Sequence, residues 1–141
     1  MSIQKRQIGT SIEEWSTERG TLRAERVGRH VVVFRARGHL AADLVELFER
    51  HVTAAIGDGV PHVFFDGTDM SGYESEFRVR ISKYLVSVRE RVESFNVYTP
   101  HRLVAMGAAV VNVALSGALT IFDDRKAFDR RLEEARASLR G

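Results

Sequence analysis

The sequence contains no cysteine, and this absence narrows the chemistry that is open to the protein. Disulfide bonds, thiolate metal ligands and thiol nucleophiles are all excluded. The 5 histidines show no ligand spacing such as HExxH, and the chain shows neither a Ser-His-Asp arrangement nor a glycine-rich phosphate loop. We therefore expect no catalytic residues, no metal site and no cofactor, and we expect that the protein is not an enzyme.

A large excess of charge of one sign and a long hydrophobic run are also missing. The 21 basic and 19 acidic residues give a formal net charge of +2, which favours no nucleic-acid partner. The longest apolar run, LVAMGAAVVNVAL, falls short of the roughly 20 residues that a membrane span needs. The N-terminal stretch MSIQKRQIGTSIEEW is too polar for a signal peptide. We expect a cytoplasmic protein without a membrane span.

Hydrophobic periodicity predicts one α/β domain that follows a polar arm. Residues 1–20 are interpreted as a loosely held N-terminal arm, with room for one edge strand. Residues 21–141 show the order β-β-α-β-α-β-α-β-α, in which short apolar runs alternate with amphipathic stretches. This order predicts a mixed, mostly parallel sheet of about five strands with about four helices. The first hairpin is its expected antiparallel part, and Gly38 is expected to end the second strand.

The stretch FFDGTDMSGYESEFR, residues 64–78, raises the main functional question. A buried strand is predicted to end at Asp66 and a helix to begin near Ser75, with a polar loop between them. Such a loop lies where open α/β sheets bind ligands. Two interpretations stay open. Ser71 and Glu74 match a capping box, which typically contributes ~1 kcal/mol and needs no function, or else the corner is open to a partner.

Two other segments resemble STAS domains, the family of anti-sigma factor antagonists. VVVFRARGHL is similar to their second strand and the Gly-x-Leu after it, and LTIFDDRKAFDRRL to their last strand and helix. STAS antagonists have a strand ending in Asp or Asn, then Asp-Ser at a helix start eight and nine residues later. Here Asp66 is followed at those distances by Glu74 and Ser75, and the usual Ser-Gly is replaced by Glu76 and Phe77. We identify residues 21–140 as a divergent STAS or SpoIIAA-like domain.

The resemblance implies a non-catalytic regulatory module that binds a regulatory protein, such as a kinase of the anti-sigma type. It also implies that Ser75 is the phosphoacceptor and that its phosphorylation blocks partner binding. The N–H groups and dipole of a helix start favour a phosphate there. Glu74 and Glu76 oppose it, and Arg78 and Arg80 offset them only in part. The predicted partner surface comprises Asp66, Thr68, Asp69, Ser71, Glu74, Ser75 and Arg78.

The segment LVAMGAAVVNVALSG is apolar almost all round, with Asn112 as its one polar interior residue. Either its small residues pack tightly on the sheet, or its outer face forms a patch for a partner, a second copy or a lipid. The lipid-binding CRAL-TRIO domains have a similar strand–helix order, so a small apolar-ligand or lipid-binding domain is the alternative function. If the helix forms a homodimer, Val110→Glu or Val111→Glu is expected to yield monomers. The candidates for the apolar pocket or interface are Phe64, Phe65, Phe77, Met106, Val110 and Val111.

Overall fold

The computed structural model describes residues 2–138, which form one seven-stranded sheet with flanking helices. The strands are β1 (Gln4–Ile8), β2 (Ile12–Ser16), β3 (Gly20–Val27), β4 (Val31–Leu40), β5 (His62–Tyr73), β6 (Ser94–Tyr98) and β7 (Leu119–Phe122). The helices are α1 (Val45–Asp58), α2 (Ser75–Val88), α3 (Arg102–Ala114) and α4 (Arg125–Ala137), with short 3-10 turns at Ala42–Leu44 and Arg89–Arg91. The predicted α/β class and its four helices are confirmed.

The strands lie in the sheet in the order in which they follow one another along the chain. β1 to β4 form an antiparallel meander, whereas β4 to β7 are parallel. Each parallel pair is joined by a helix. Because crossovers of this kind are right-handed and the paired strands are adjacent, α1, α2 and α3 all cover the same face of the sheet. α4 follows the last strand and covers the opposite face, so each face has its own core.

Alternating residues of the central strands supply the two cores. Phe34 of β4 and Phe65 of β5 point towards α1–α3 and cluster with Phe48, with ring centroids 4.4 to 6.5 Å apart. Phe64 points the other way, and its ring centroid lies 5.7 Å from that of Phe128 in α4. The near-continuous apolar runs VVVF and VFF are typical of parallel strands that are buried on both faces.

The expected count of about five strands is wrong, because residues 4–16 add two strands to the sheet. β2 pairs with β3 over its whole length, and Trp15 of β2 is fully buried. The indole N–H of Trp15 donates to Glu13 Oε2 at 2.9 Å. β1 is an edge strand with four exposed residues out of five. Polar and charged side chains are common on such edges, so its composition conceals it in the sequence.

The central strands β4 and β5 are longer than predicted. β4 continues through Gly38 to Leu40, and β5 continues past Asp66 to Tyr73, so that residues 67–73 form a strand instead of a loop. The pairing of β4 with β5 contains two register shifts, which are typical of β-bulges. Gly38 has a φ of +75°, which is readily adopted only by glycine. Glycine, serine and aspartate therefore mark irregular strand geometry here.

The helices lie close to where their periodicity predicts them. For α4 the helical periodicity predicts that Phe128, Leu132, Ala135 and Leu139 face inward. The first three are buried, and Leu139 lies outside the described residues. Of the helices within residues 2–138, none combines the length and the apolar character that crossing a bilayer requires.

Candidate functional site

The residues of FFDGTDMSGYESEFR occupy two separate places in the structure. Asp66 lies within β5, and seven further strand residues separate it from Glu74. Because of two register shifts, the stretch from Asp66 to Tyr73 is paired with only five steps of β4, from Arg35 to Leu40. At about 3.3 Å per step, with one further step to Glu74, Asp66 lies roughly 20 Å from the start of α2. The expectation that the chain turns at Asp66 into one polar corner is therefore wrong. The prediction that the helix begins near Ser75 is correct, since Ser75 is the first residue of α2.

Asp66 belongs to a buried polar cluster beneath α4. Its side chain is largely buried, and its Oδ1 accepts hydrogen bonds from the backbone N–H of Thr68 at 3.0 Å and the Thr68 hydroxyl at 2.5 Å. Its Oδ2 lies 3.0 Å from Nη1 of Arg125, which also donates to the Thr68 hydroxyl. With both oxygens engaged, Asp66 and Thr68 attach α4 to the sheet and do not face a partner directly.

Arg125 completes this cluster from the first turn of α4. Its guanidinium lies 5.7 Å from the ring centroid of Tyr98, and its Nε is 3.1 Å from Asp129. Burial lowers the pKa of Arg125, but the charges of Asp66 and Asp129 outweigh burial and raise this pKa above its ordinary value. The arginine is therefore a permanent cation that balances the buried carboxylate.

Glu74 joins the start of α2 to the end of β4. It is the residue before the helix, in an extended conformation with φ −70° and ψ 145°, and its side chain makes no capping hydrogen bond to α2. Instead, its carboxylate accepts the backbone N–H of Ala42 at 2.6 Å, and its own N–H donates to the carbonyl oxygen of Leu40 at 2.9 Å. The interpretation of Ser71 and Glu74 as a capping box is wrong, since Ser71 lies in β5 and does not cap the helix.

Ser75 is exposed at this corner. Glu76, which follows it, is also exposed. Arg80 is engaged with Glu49, whose Oε1 lies 2.9 Å from its Nη2. Arg78 is half-buried, and within residues 2–138 it makes no ion pair. Residues three apart lie on one helix face, so Arg78 is positioned to interact with a group on Ser75.

An apolar cleft of about 80 Å³ lies between α2, α3 and the sheet. Phe77, Val111 and Phe65, three of the candidates for a pocket or interface, line it. Phe64 does not line it, because its side chain faces α4, so its assignment as a wall residue is wrong. Arg78 is the one charged residue among the lining residues described. The cleft is lined by Phe65, Gly67, Met70, Tyr73, Phe77, Arg78, Ile81, Leu85, Val97, Tyr98, Thr99, Val104, Gly107, Ala108, Val111 and Leu119.

The inner face of α3 packs closely on the sheet. A Cβ atom at Gly107 would collide with the Tyr73 hydroxyl and would lie 2.7 Å from Cζ of that ring. Asn112, the polar residue of this apolar helix, accepts the backbone N–H of Leu119 through its Oδ1 at 2.8 Å. Close packing against β5 and a hydrogen bond to β7 therefore hold the helix in place.

The outer face of α3 is apolar and exposed. Met106 and Val110 lie on this face, not in the cleft, and Leu103 and Val113 extend it in both directions. Val111 is only 6 % exposed, so it belongs to the inner face and not to an outer interface. The two interpretations of this helix, close packing on the sheet and an exposed apolar patch, therefore apply to its two faces. The inner face packs on the sheet, and the outer face is uncovered in the single chain.

Sequence reasoning missed several residues of these sites. Nothing in the sequence pairs Arg125 with Asp66, since 59 positions separate them, and nothing assigns the Ala42 N–H to Glu74. Leu103 and Val113 were detectable, because their spacing continues that of Met106 and Val110. Within residues 2–138, no three histidine, aspartate or glutamate side chains converge as metal ligands.

Comparison with known proteins identifies the fold. No family model and no curated protein matches the sequence. An uncharacterised protein of the DUF3478 family with a SpoIIAA-like fold, from Shewanella loihica PV-4, is 17% identical with a TM-score of 0.59, over 83% of this chain and 98% of that chain. The anti-sigma factor antagonist SpoIIAA in its unphosphorylated form is 17% identical with a TM-score of 0.56, over 79% of this chain and 96% of its own. The chain therefore has the SpoIIAA-like fold that its resemblance to STAS domains predicts.

Proposed function

We propose that this domain is a cytoplasmic, non-catalytic regulatory module that binds a protein partner through the start of α2. The supporting observation is the exposed position of Ser75 as the first residue of that helix, on a fold shared with an anti-sigma factor antagonist. We define the α2 corner as the contiguous residues from Ser71 to Arg78. Ser71, Ser75 and Glu76 are exposed there and available for contact.

Asp66, Thr68 and Asp69 have different roles in this proposal. Asp66 and Thr68 act indirectly, by holding α4 against the sheet through Arg125. Asp69 is exposed on β5 and is paired in register with Arg37 of β4. It therefore extends the partner surface along the sheet beyond the α2 corner.

In this proposal a kinase of the anti-sigma type phosphorylates Ser75. The γ-phosphoryl group of ATP is transferred to the serine oxygen, ADP leaves, and the hydroxyl proton is released. The product carries close to two negative charges, next to the unpaired N–H groups of the first turn and near Arg78. The Glu74 carboxylate is held by the Ala42 N–H and Glu76 is exposed, and the negative charges of both oppose the phosphate. The new charge weakens partner binding at the corner.

Phosphorylation by an anti-sigma-type kinase from the same organism tests the switch. Incubation of the purified proteins with Mg-ATP, followed by tandem mass spectrometry, is expected to place one phosphate on Ser75. Ser75→Ala should abolish it, and the matched change Ser71→Ala should retain it. Ser75→Asp should weaken kinase binding about tenfold or more in calorimetry, with Ser71→Asp near wild type. A phosphate on another residue, or unchanged binding by Ser75→Asp, rejects the switch.

The cleft between α2 and α3 supports a second candidate function, the binding of a small apolar ligand. Its lining is mostly apolar, with Arg78 as the one charged residue among those described, and Arg78 suits a carboxylate at one end of such a ligand. Its volume of about 80 Å³ is well below the ~300–1,000 Å³ of typical ligand pockets. The observed form of the cleft therefore suits a chain of a few carbon atoms, and larger ligands require α2 or α3 to move.

A titration with hexanoate, followed by amide NMR shifts, tests this second function. Binding is expected to shift resonances along the facing sides of α2 and α3. Ala108→Phe fills the cleft and should abolish those shifts. The matched change Ala109→Phe places the same side chain at an exposed position of α3 and should leave them. Shifts that persist in Ala108→Phe, or no shifts in the wild type, reject the cleft as the site.

A further inference from the structure

Four side chains form a continuous apolar line along the exposed side of α3. Leu103, Met106, Val110 and Val113 expose 70%, 59%, 52% and 81% of their surface. We call these four residues the outer seam. The other large hydrophobic side chains of comparable exposure within residues 2–138 are Val60 and Val86, which lie apart on other elements. A contiguous exposed apolar line of this kind marks an interaction surface.

We propose that the outer seam is a homodimer interface, in which α3 packs antiparallel against α3 of a second copy. The spacing of the seam residues is three, four and three, which is the a/d pattern of a helix that packs along a partner helix. The 13 residues of α3 span roughly 20 Å at 1.5 Å per residue. A second α3 matches this narrow line in length, spacing and apolar character.

The charges around the seam favour a copy of the same chain over a charged partner. No charged residue occurs from Leu103 to Ala114, so the seam offers nothing to select an acidic or basic protein. Arg102 stands exposed at the N-terminal end of α3. In an antiparallel pair it lies near the C-terminal carbonyls of the other α3, where the helix dipole attracts a cation. A parallel pair would place the two Arg102 side chains together, so the antiparallel arrangement is preferred.

The inner face of α3 is engaged within its own chain, which separates it from the outer seam. Val104, Gly107 and Val111 are buried against the sheet and α2. Dimerisation through the seam therefore leaves the cleft intact. One helix from each copy makes a small interface, which is typical of weak complexes. We accordingly expect a monomer–dimer equilibrium that depends on concentration over the micromolar range.

Sedimentation velocity between about 5 and 500 µM tests the proposal, since weak complexes dissociate within that range. The wild type should shift from monomer to dimer as concentration rises. Val110→Glu should raise the dissociation constant about tenfold or more, so that the variant is mostly monomeric at concentrations where the wild type is mostly dimeric. Val60→Glu is the matched control, because Val60 and Val110 are both 52 % exposed, and it should dimerise like the wild type. Val111→Glu places a charge in the core, so it does not test the interface.

Cysteine pairs test the antiparallel order, because the chain has no cysteine of its own. A mixture of Leu103→Cys and Val113→Cys proteins should form a disulfide-linked heterodimer under mild oxidation. Each variant alone should crosslink more slowly. Faster crosslinking of each variant with itself would overturn the antiparallel arrangement.

Three outcomes overturn the dimer itself. The first is a monomer at every concentration, and the second is a dimer that survives Val110→Glu. The third is a monomer that sediments with phosphatidylcholine vesicles, whereas its Val110→Glu variant does not. This result would assign the seam to a lipid surface. Circular dichroism of each variant establishes that it is folded before its association is compared.

Discussion

At the scale of single residues, Gly107 allows α3 to approach β5 closely. Its missing side chain leaves room for the Tyr73 hydroxyl. Gly107→Ala is therefore expected to destabilise the protein by about 1–2 kcal/mol, because the overpacking penalty exceeds the roughly 1 kcal/mol that alanine gains over glycine in a helix. Urea unfolding at pH 7 measures the difference.

A matched change separates packing from helix propensity. Gly57 lies in α1, where an added Cβ meets no atom within 4 Å, so Gly57→Ala should stabilise by about 0.5–1 kcal/mol. Tyr73→Phe removes the hydroxyl that the new methyl would meet, and it should partly restore stability to Gly107→Ala. Equal effects at the two glycines would contradict this account of α3 packing.

Asp66 shows how a buried charge is compensated at a single position. Asp66→Asn removes the negative charge opposite Arg125 while keeping an oxygen that can accept from Thr68. We expect a loss of about 2 kcal/mol, which is typical when a charge-assisted hydrogen bond is lost at a buried site. The control is Asp129→Asn, which removes the exposed partner of the same arginine and should change stability by less than about 0.5 kcal/mol. Chemical denaturation measures the free energy of unfolding of both variants. Equal losses in the two would contradict this role for Asp66.

At the scale of elements, Glu13 joins β2 to α1. Its carboxylate lies 2.8 Å from His51 Nε2 and 3.3 Å from Arg50 Nη1, both on α1, and accepts the Trp15 indole N–H. Burial raises the pKa of Glu13, but the hydrogen bonds from His51 and Trp15, with the charge of Arg50, outweigh it and lower this pKa below its ordinary value. The ionised form therefore stabilises the packing of the N-terminal hairpin on α1.

The pH dependence of stability follows from this lowered pKa. A carboxyl group whose pKa falls on folding stabilises the protein above its unfolded pKa, about 4.3 for glutamate. That contribution is lost as the pH falls through the lower, folded value. Glu13→Gln should therefore be less stable than the wild type at pH 7, and the gap should close progressively below about pH 4.3. Glu134→Gln, at an exposed position of α4, is the control for loss of a carboxylate outside this contact. A constant gap from pH 7 to 3 would refute the assignment.

The elements also show where sequence reasoning succeeded. α1, α2 and α4 combine strong helical periodicity with recognisable ends, and each was placed within a few residues. β1 and the second half of β5 were missed, because charged edge residues and a Gly-Thr-Asp-Ser run carry no period-two apolar signal. The start of α2 at Ser75 was predictable locally. The hydrogen bond from the Ala42 N–H to Glu74, which fixes this helix start, was not predictable, because it joins positions 32 apart.

At the scale of the whole molecule, Trp15 reports whether the N-terminal strands fold with the rest. It is the single tryptophan of the chain, and it is buried where β2 meets the core. If the seven strands form one cooperative unit, tryptophan fluorescence and far-ultraviolet circular dichroism should give coincident urea transitions. A fluorescence transition at distinctly lower urea would show that the N-terminal hairpin opens separately.

The candidate site was predictable in part at this scale. The resemblance to STAS domains located Ser75, and the structure leaves it exposed. The roughly 20 Å between Asp66 and the helix start was not predictable, because it depends on how β4 and β5 pair beyond the expected end of each strand. The composition of α3 predicted an unusual helix, but only its packing on the sheet determines which side remains uncovered.

The order of the strands has a consequence for biosynthesis. Because each strand pairs with the one made just before it, a nascent chain leaving the ribosome can extend its sheet edge by one strand at a time. Within residues 4–122, every strand finds its pairing partners in the strands directly before and after it in the chain. α4 is made after all seven strands, and its packing covers Val31, Val33 and Phe64. Until then these three apolar side chains face solvent on the second side of the sheet.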